Sequence, residues 1–338
     1  MKRVLIICCA IIIMSLLLSS CTSNGSNSYD KPSKTVSNPF DFSSEEESDS
    51  VGFGFGPVNP VDKLTYTGKL IEREYLYENT GNVDCKLGFM IFIDGIPQAY
   101  KIDDESTEEI MHQFSVSRKD KIKFKVSLKP TIGEKDNVYG LYAVTLLNPS
   151  FMPASDIPNP TFGNNHTLSQ VLPVTLKYLE SVKSPILKVN SKYSTQMVND
   201  EIKKEYLSQS KDNKNEYVPN GAHLFHLIYK DDYKQTKIEI TKGSNLNLKL
   251  EGFCGPEDAS YRTTVFIDNK PVKTFDGQDY LEMQLKKGML SSQDFCIDTK
   301  GLTGSYTLST ISVPVGNDYV RPQNPVVQTN CRLLVIKE

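Results

Sequence analysis

Any chemistry in this chain would have to come from seven cysteines, four histidines and scattered runs of carboxylates and lysines. Cys8, Cys9 and Cys21 fall in or just after an apolar start, Cys85 stands alone, and Cys254, Cys296 and Cys331 share the last third. If that last third is exported, three thiols permit one disulfide; Cys254 with Cys331 would tie the final strand down, although spacing does not fix the partners. No C-x2-C pair is present to hold zinc. His223 and His226 are three apart, which on a strand sends them to opposite faces and argues against a shared metal. Asp103, Asp104, Glu105, Glu108 and Glu109 match no EF-hand loop and read as an acidic solvated loop. Arg118, Lys119, Lys121, Lys123, Lys125 and Lys129 form a basic row that could meet an anionic wall polymer, a phosphate-bearing glycan or an acidic partner. The same lysines are also an ordinary device against edge-to-edge strand pairing, and that reading leads.

Catalytic signatures are missing. There is no G-x-S-x-G, no H-E-x-x-H, no phosphate or dinucleotide glycine loop, and no cysteine with evident His and Asn partners. No cofactor and no metal is expected. A carboxylate pair, as in a glycosidase, assembles in space and leaves no motif, so a carboxylate-based hydrolase stays as an alternative. With 38 Lys and Arg against 41 Asp and Glu, the net charge of -3 and pI near 5.9 exclude a strongly basic nucleic-acid binder.

The elements that would position these residues are strands. Lys121–Leu128 and Leu246–Glu251 alternate strictly between polar and apolar residues, so one face of each meets a core and the other meets water. Turn residues such as Asp94-Gly95, Gly255-Pro256 and Lys287-Gly288 separate short runs rich in Val, Ile, Thr, Tyr and Phe. Phe92-Ile93-Asp94-Gly95-Ile96-Pro97 recurs as Phe266-Ile267-Asp268-Asn269-Lys270-Pro271, and the flanks Gly140-Leu-Tyr142 and Gly304-Ser-Tyr306 are aligned with each other. Several matches in one order predict tandem copies of one fold. Asp94 and Asp268 should accept hydrogen bonds within their turns. The expected fold is mainly β: two tandem immunoglobulin-like antiparallel sandwiches, with a barrel as the alternative. Asn79-Thr80-Gly81-Asn82 followed by Phe89 to Gly95 resembles the bacterial cell-adhesion-related immunoglobulin-like domains, and that resemblance implies the fold more than any activity.

The amino end predicts an address. Lys2 and Arg3 precede an apolar run, Val4–Leu18, too short to span a bilayer comfortably and typical of a secretory signal. Leu18-Ser19-Ser20-Cys21 then resembles the lipobox of bacterial lipoproteins. The resemblance implies cleavage before Cys21, diacylation of its sulfur, palmitate among the acyl chains, and an extracytoplasmic location on the membrane. Residues 21–60 are rich in Ser, Asn, Gly, Pro and Asp and read as a disordered tether; the Phe residues of Val51–Pro57 are its one apolar interruption, read as a sticky linker end. The expected division is a signal over 1–20, the tether over 21–60, a first sandwich over 61–180, a linker over 181–222 and a second sandwich over 223–338. Val198, Ile202 and Tyr206 predict one short helix at about 195–209 within the linker, packed on a flank and setting the angle between the sandwiches. The resulting expectation is a lipid-anchored, non-catalytic protein that binds, or presents a surface to, an unknown protein or glycan. The alternative is an accessory or substrate-delivery lipoprotein of an export or uptake system, which a cleft between the sandwiches would favour.

Overall fold

The computed structural model describes residues 52–171, 173–198, 223–253, 257–320 and 324–338. The first repeat contributes β1 (Phe53–Pro57), β2 (Lys63–Tyr66), β3 (Ile71–Asn79), β4 (Cys85–Ile93), β5 (Ile96–Gln98), β6 (Lys101–Ile102), β7 (Met111–Val116), β8 (Lys121–Leu128), β9 (Val138–Leu147), β10 (Leu168–Gln170) and β11 (Val174–Tyr178). They form one sheet in the order β1-β3-β8-β6 and a second in the order β2-β11-β9-β4-β5, with β10 added to β9 and β7 to β4. In β8 the alternation works as the sequence requires: Phe124, Val126 and Leu128 are buried, while Lys121 and Lys123 are exposed and Lys125 half-buried.

The second repeat contributes β12 (Val189–Asn190), β13 (Ser194–Met197), β14 (Leu224–Ile228), β15 (Lys237–Thr241), β16 (Leu246–Phe253), β17 (Ala259–Ile267), β18 (Lys270–Val272), β19 (Tyr280–Leu285), β20 (Met289–Ile297), β21 (Gly304–Pro314), β22 (Val327–Gln328) and β23 (Arg332–Lys337). Its sheets run β12-β19-β17-β21-β23-β15, with β18 on β17 and β22 on β21, and β13-β20-β16-β14. The main strands of the two repeats correspond. β1-β3-β8 corresponds to β14-β16-β20, and the parallel pair β2 and β11 corresponds to the parallel pair β15 and β23. The same backbone bond recurs at the signature turns, from Asp94 N to Gly140 O and from Asp268 N to Thr307 O, each 2.9 Å. The described residues therefore form two mainly antiparallel immunoglobulin-like sandwiches in tandem, each with a parallel pair at one sheet edge.

The structure corrects several expectations. Phe53–Pro57, assigned to the tether, is the first strand of the first repeat, because Phe53 stacks on Tyr77 and Phe55 on Tyr75, with ring centroids 5.8 and 5.7 Å apart. Val189–Asn190 and Ser194–Met197, assigned to the linker, are edge strands of the second sandwich. The start of the expected helix at about 195–209 is thus a strand: Thr195 sits in mid-ladder opposite Ser291, where the open edge of β20 supplies backbone partners. The rest of that helix, residues 199–209, lies outside the described residues. The flank alignment also shifts, since Phe92 faces Tyr142 in its ladder while Phe266 faces Ser309, so the partner of Tyr142 is Ser309 and not Tyr306. No helix among the described residues is long and apolar enough to cross a membrane.

Each sandwich has its own core, with Phe89, Tyr75 and Phe124 in the first and Leu248, Tyr261 and Phe295 in the second. A further apolar cluster lies between the sandwiches. Met90, Phe92, Tyr142 and Val144 of β4 and β9 meet Phe266, Ile311 and Val313 of β17 and β21. The sheets at the junction are buried on both faces, and this packing joins the two sandwiches.

Candidate functional site

The basic row is held by the first sandwich's outer sheet. Arg118 and Lys119 lie in the turn before β8, Lys121, Lys123 and Lys125 on its outward face, and Lys129 just past its end. Strand β3 sets glutamates opposite them: Glu78 pairs in register with Lys121, Lys123 Nζ is 2.9 Å from Glu74, and Lys125 Nζ is 2.7 Å from Glu72. The row therefore faces a matching acidic row instead of standing as free positive charge. Along Lys121–Phe124 the far side of β8 has no ladder partner among the described residues, since β6 pairs only with Val126 and Ser127. That is the position where lysines discourage pairing with another chain.

The other candidates separate in space. His223 contacts the ring of Tyr261 and hydrogen-bonds Asn324, whereas His226 stacks on Tyr233. Asp103 accepts from the backbone N–H of Lys125 at 2.8 Å, and Glu105 lies 3.1 Å from His112. Among the described residues no group of three or more His, Cys, Asp or Glu side chains could hold a metal ion. Cys85, Cys296 and Cys331 are free thiols among the described residues. Burial pushes the Cys331 thiol up to about 12, with the backbone of Arg332 pulling the other way. Cys254 and Cys21 lie outside the described residues.

The two signature acids do different work. Asp268 stays within its own repeat, accepting from Thr307 N at 2.7 Å and Thr307 Oγ1 at 3.2 Å. Asp94 instead leaves its turn and meets Arg262 and the backbone N–H of Gly316 across the junction. The junction is closed further by Asn269 Nδ2 donating to Pro149 O at 2.8 Å and Val326 N donating to Gln170 Oε1 at 2.8 Å.

Beside this apolar seam lies an open cleft of about 600 Å³. Its walls come from the Thr161–Leu168 stretch of the first sandwich and, in the second, from His223, Thr236 and Pro325–Cys331. Among the described residues that line it there is no Asp, Glu, Lys or Arg. Burial lowers the pKa of both His166 and His223, which keeps the two imidazoles neutral. His166 Nε2 is 2.7 Å from Phe151 O. Of these residues only His223 and Cys331 drew notice in the sequence, the one for its spacing to His226 and the other for a disulfide, and nothing there pointed to a shared cleft. Other hollows include one of about 480 Å³ around Asp268–Pro271 and one of about 500 Å³ beside the exposed Phe275. Both are lined by acidic and basic side chains.

No family model and no curated protein matches the chain. Among solved structures it is similar to the CARDB domain, in complex with di-metal ions, of a Pyrococcus furiosus protein, at 15% identity over 38% of this chain and 90% of that one, with a TM-score of 0.24. It is also similar to the CsuC-CsuE chaperone–tip adhesion subunit pre-assembly complex of Acinetobacter baumannii, at 9% identity over 85% and 100% of the chains and a TM-score of 0.21. The E. coli chaperone DraB aligns at 8% identity over 85% and 97%, with a TM-score of 0.23. At these scores the likenesses carry no argument, and the fold stands on the sheet order described above.

Proposed function

We propose that this protein is held to the outer side of a membrane by lipid on Cys21, and that its fused sandwiches bind, or present a surface to, a protein or glycan partner without catalysis. The anchoring rests on the Leu18–Cys21 sequence and the apolar run before it. The binding role rests on the filled junction: Met90 and Phe92 pack against Phe266 and Val313, which makes one rigid scaffold of two modules. Loops and clefts positioned by such a scaffold are where recognition residues reside. Among the described residues no carboxylate lines the cleft, which weighs against carboxylate hydrolysis there.

The cleft also favours a second reading, an accessory or substrate-delivery lipoprotein of an export or uptake system. A delivery protein that closes over its cargo needs a hinge, and the packed seam opposes one, so the first reading leads. The test is to express the full chain and its Cys21→Ala variant in cells fed an alkyne-bearing palmitate. Labelled wild type in the membrane fraction with unlabelled variant is the expected result; unlabelled wild type in the cytosol would remove the anchor. The detergent-purified chain should then retain a wall-polysaccharide or secreted-protein fraction, and retention of neither would remove the binding role.

A further inference from the structure

Strand β1 ends a sheet of the first sandwich: β3 lies on one side of it, and among the described residues no strand lies on the other. The bonds from Thr80 N to Gly52 O at 2.8 Å and from Val58 N to Glu74 O at 2.9 Å fix which way its backbone faces. An antiparallel ladder bonds every second residue to its neighbour, so Gly54 and Gly56, in step with these two, turn their N–H and C=O groups toward β3. Phe53, Phe55 and Pro57 turn theirs to the open side, where Pro57 has a carbonyl but no N–H. The second repeat shows such an edge closed. There Arg332 Nη2 donates to the carbonyl oxygen of Leu227 in β14, the counterpart of β1, and at 2.8 Å to that of Tyr233 in the loop that follows. The parallel pairs set Thr175 opposite Lys63 and Leu333 opposite Lys237, so the residue at the place of Arg332 in the first repeat is Val174, which has no hydrogen-bonding side chain. Nor does β1 carry a charge of the kind that guards other edges, such as Lys121 and Lys123 along the unpaired stretch of β8 or Lys237 and Glu239 on β15.

We propose that β1 pairs with β1 of a second copy of this chain, antiparallel about a two-fold axis at Phe55. The edge complements itself in that register. Phe55 N–H donates to Phe55 O of the second copy and Phe53 N–H to its Pro57 O, and both bonds recur in the opposite direction, so every outward N–H is used and only Phe53 O meets the place where Pro57 lacks one. Phe53 and Phe55 stay on the inner face against Tyr77 and Tyr75. Gly54 and Gly56 on the outer face have open space where a Cβ would stand, so no side chain of β1 obstructs the approach. The result is one continuous sheet running β6-β8-β3-β1 and back through the second copy in reverse order. The inference rests neither on the lipid anchor nor on a glycan or protein partner, and it uses a surface apart from the cleft.

The test is sedimentation equilibrium of the full chain in a density-matched detergent, taken up to about 100 μM because so short a ladder makes a small interface. A reversible dimer is the expected result. In the proposed register Gly54 stands opposite Gly56 of the second copy. Gly54→Lys with Gly56→Lys therefore sets like charges face to face at both places and should weaken the dimer about tenfold, whereas Gly54→Lys with Gly56→Glu sets opposite charges there and should return the affinity to within about threefold of wild type. Limited proteolysis near residue 58 checks that β1 remains on β3 in each variant. Amide exchange of the wild type needs no variant: the Phe53 and Phe55 amides should exchange about threefold or more slowly at the high concentration than in the dilute protein. A single-chain mass at every concentration, equal dimer affinity in wild type and the double-lysine variant, no recovery in the lysine–glutamate variant, or exchange at Phe53 and Phe55 that ignores concentration would each overturn the proposal. All of these outcomes leave the palmitate, fractionation and retention results standing.

Discussion

Arg262 in β17 reaches across the junction to Asp94 at the end of β4, its Nη1 donating both to the carboxylate and, at 2.9 Å, to the carbonyl oxygen. Its Nε donates to Glu282 at 2.9 Å, and the guanidinium lies 5.1 Å from the ring centroid of Tyr280. Asp94 has a repeat equivalent, Asp268, with the same φ of 47°, yet only Asp94 crosses between sandwiches. An acid that the sequence presents twice thus has two different jobs.

That difference is measurable. Asn tolerates the left-handed φ, so Asp94→Asn removes the charge without breaking the turn. It should cost about 1–2 kcal/mol, since it strips the half-buried Arg262 of a charged partner. Asp268→Asn should cost about 0.5 kcal/mol or less, because its oxygen still accepts from Thr307. Urea unfolding of both variants checks this, and equal costs would deny Asp94 its special place.

Gly140 in β9 marks how close the sandwiches come. A Cβ there would lie 2.6 Å from Tyr319 Cβ. In an ordinary strand Gly→Ala gains about 0.5–1 kcal/mol; here overpacking should make Gly140→Ala lose about 1–3 kcal/mol. A rise in thermal midpoint would show that the seam is slack.

Phe266, 2% exposed and at ring-centroid distance 6.5 Å from Phe92, anchors the seam. Phe266→Ala should cost about 3–5 kcal/mol. Because the loss falls between the cores, calorimetry should resolve two transitions where the wild type gives one. A single shifted transition would mean that the sandwiches are coupled elsewhere.

Gly54 and Gly56 in β1 have open space where a side chain would stand, and neither has a positive φ. Gly54→Val should therefore stabilise the protein by about 0.5–1 kcal/mol by restricting the unfolded chain and favouring the strand. Phe55→Ala should do the reverse, since Phe55 packs on Tyr75 and Phe89. Limited proteolysis near residue 58 reads both, and the expected order of resistance is Gly54→Val, wild type, Phe55→Ala.

Stability should fall on the acid side through His226. Burial first, and the charge of Arg332 second, push its pKa down to about 4, against about 6.5 when unfolded. The unfolded state then takes up the proton first, so the contribution is complete above about pH 6.5 and is lost as pH falls toward 4. The groups facing the imidazole are Tyr233, stacked at 4.7 Å, Glu251 opposite in the ladder, and Arg332 from β23. The full shift amounts to about 3 kcal/mol, and partial exposure reduces this to about 2. His226→Phe keeps the stacking and should narrow the gap in urea midpoint between pH 7 and pH 4.5; an unchanged gap would assign the acid loss to other groups.

Much of the architecture was legible because strands write a period of two. Lys121–Leu128 and Leu246–Glu251 carried it plainly, and the Phe92–Pro97 signature carried the repeat. Strand β1 was missed because its glycines lower strand propensity, though Phe53 and Phe55 kept the period. The seam had a signal too: Phe89-Met90-Ile91-Phe92-Ile93 is apolar without alternation, as a strand covered on both faces must be. The cleft left no such mark, since Thr161, His223, Thr236 and Gln328 are far apart in the chain and ordinary one by one.

From the sequence by itself came two mainly-β repeats and their turn residues; local alternation and turn chemistry are properties of neighbouring residues. Only the tertiary structure decided that the sandwiches pack face to face, that Asp94 and not Asp268 bridges them, and that a cleft opens beside the seam. Those outcomes depend on which apolar face meets which, and burial between distant segments is settled by the packing of whole sheets.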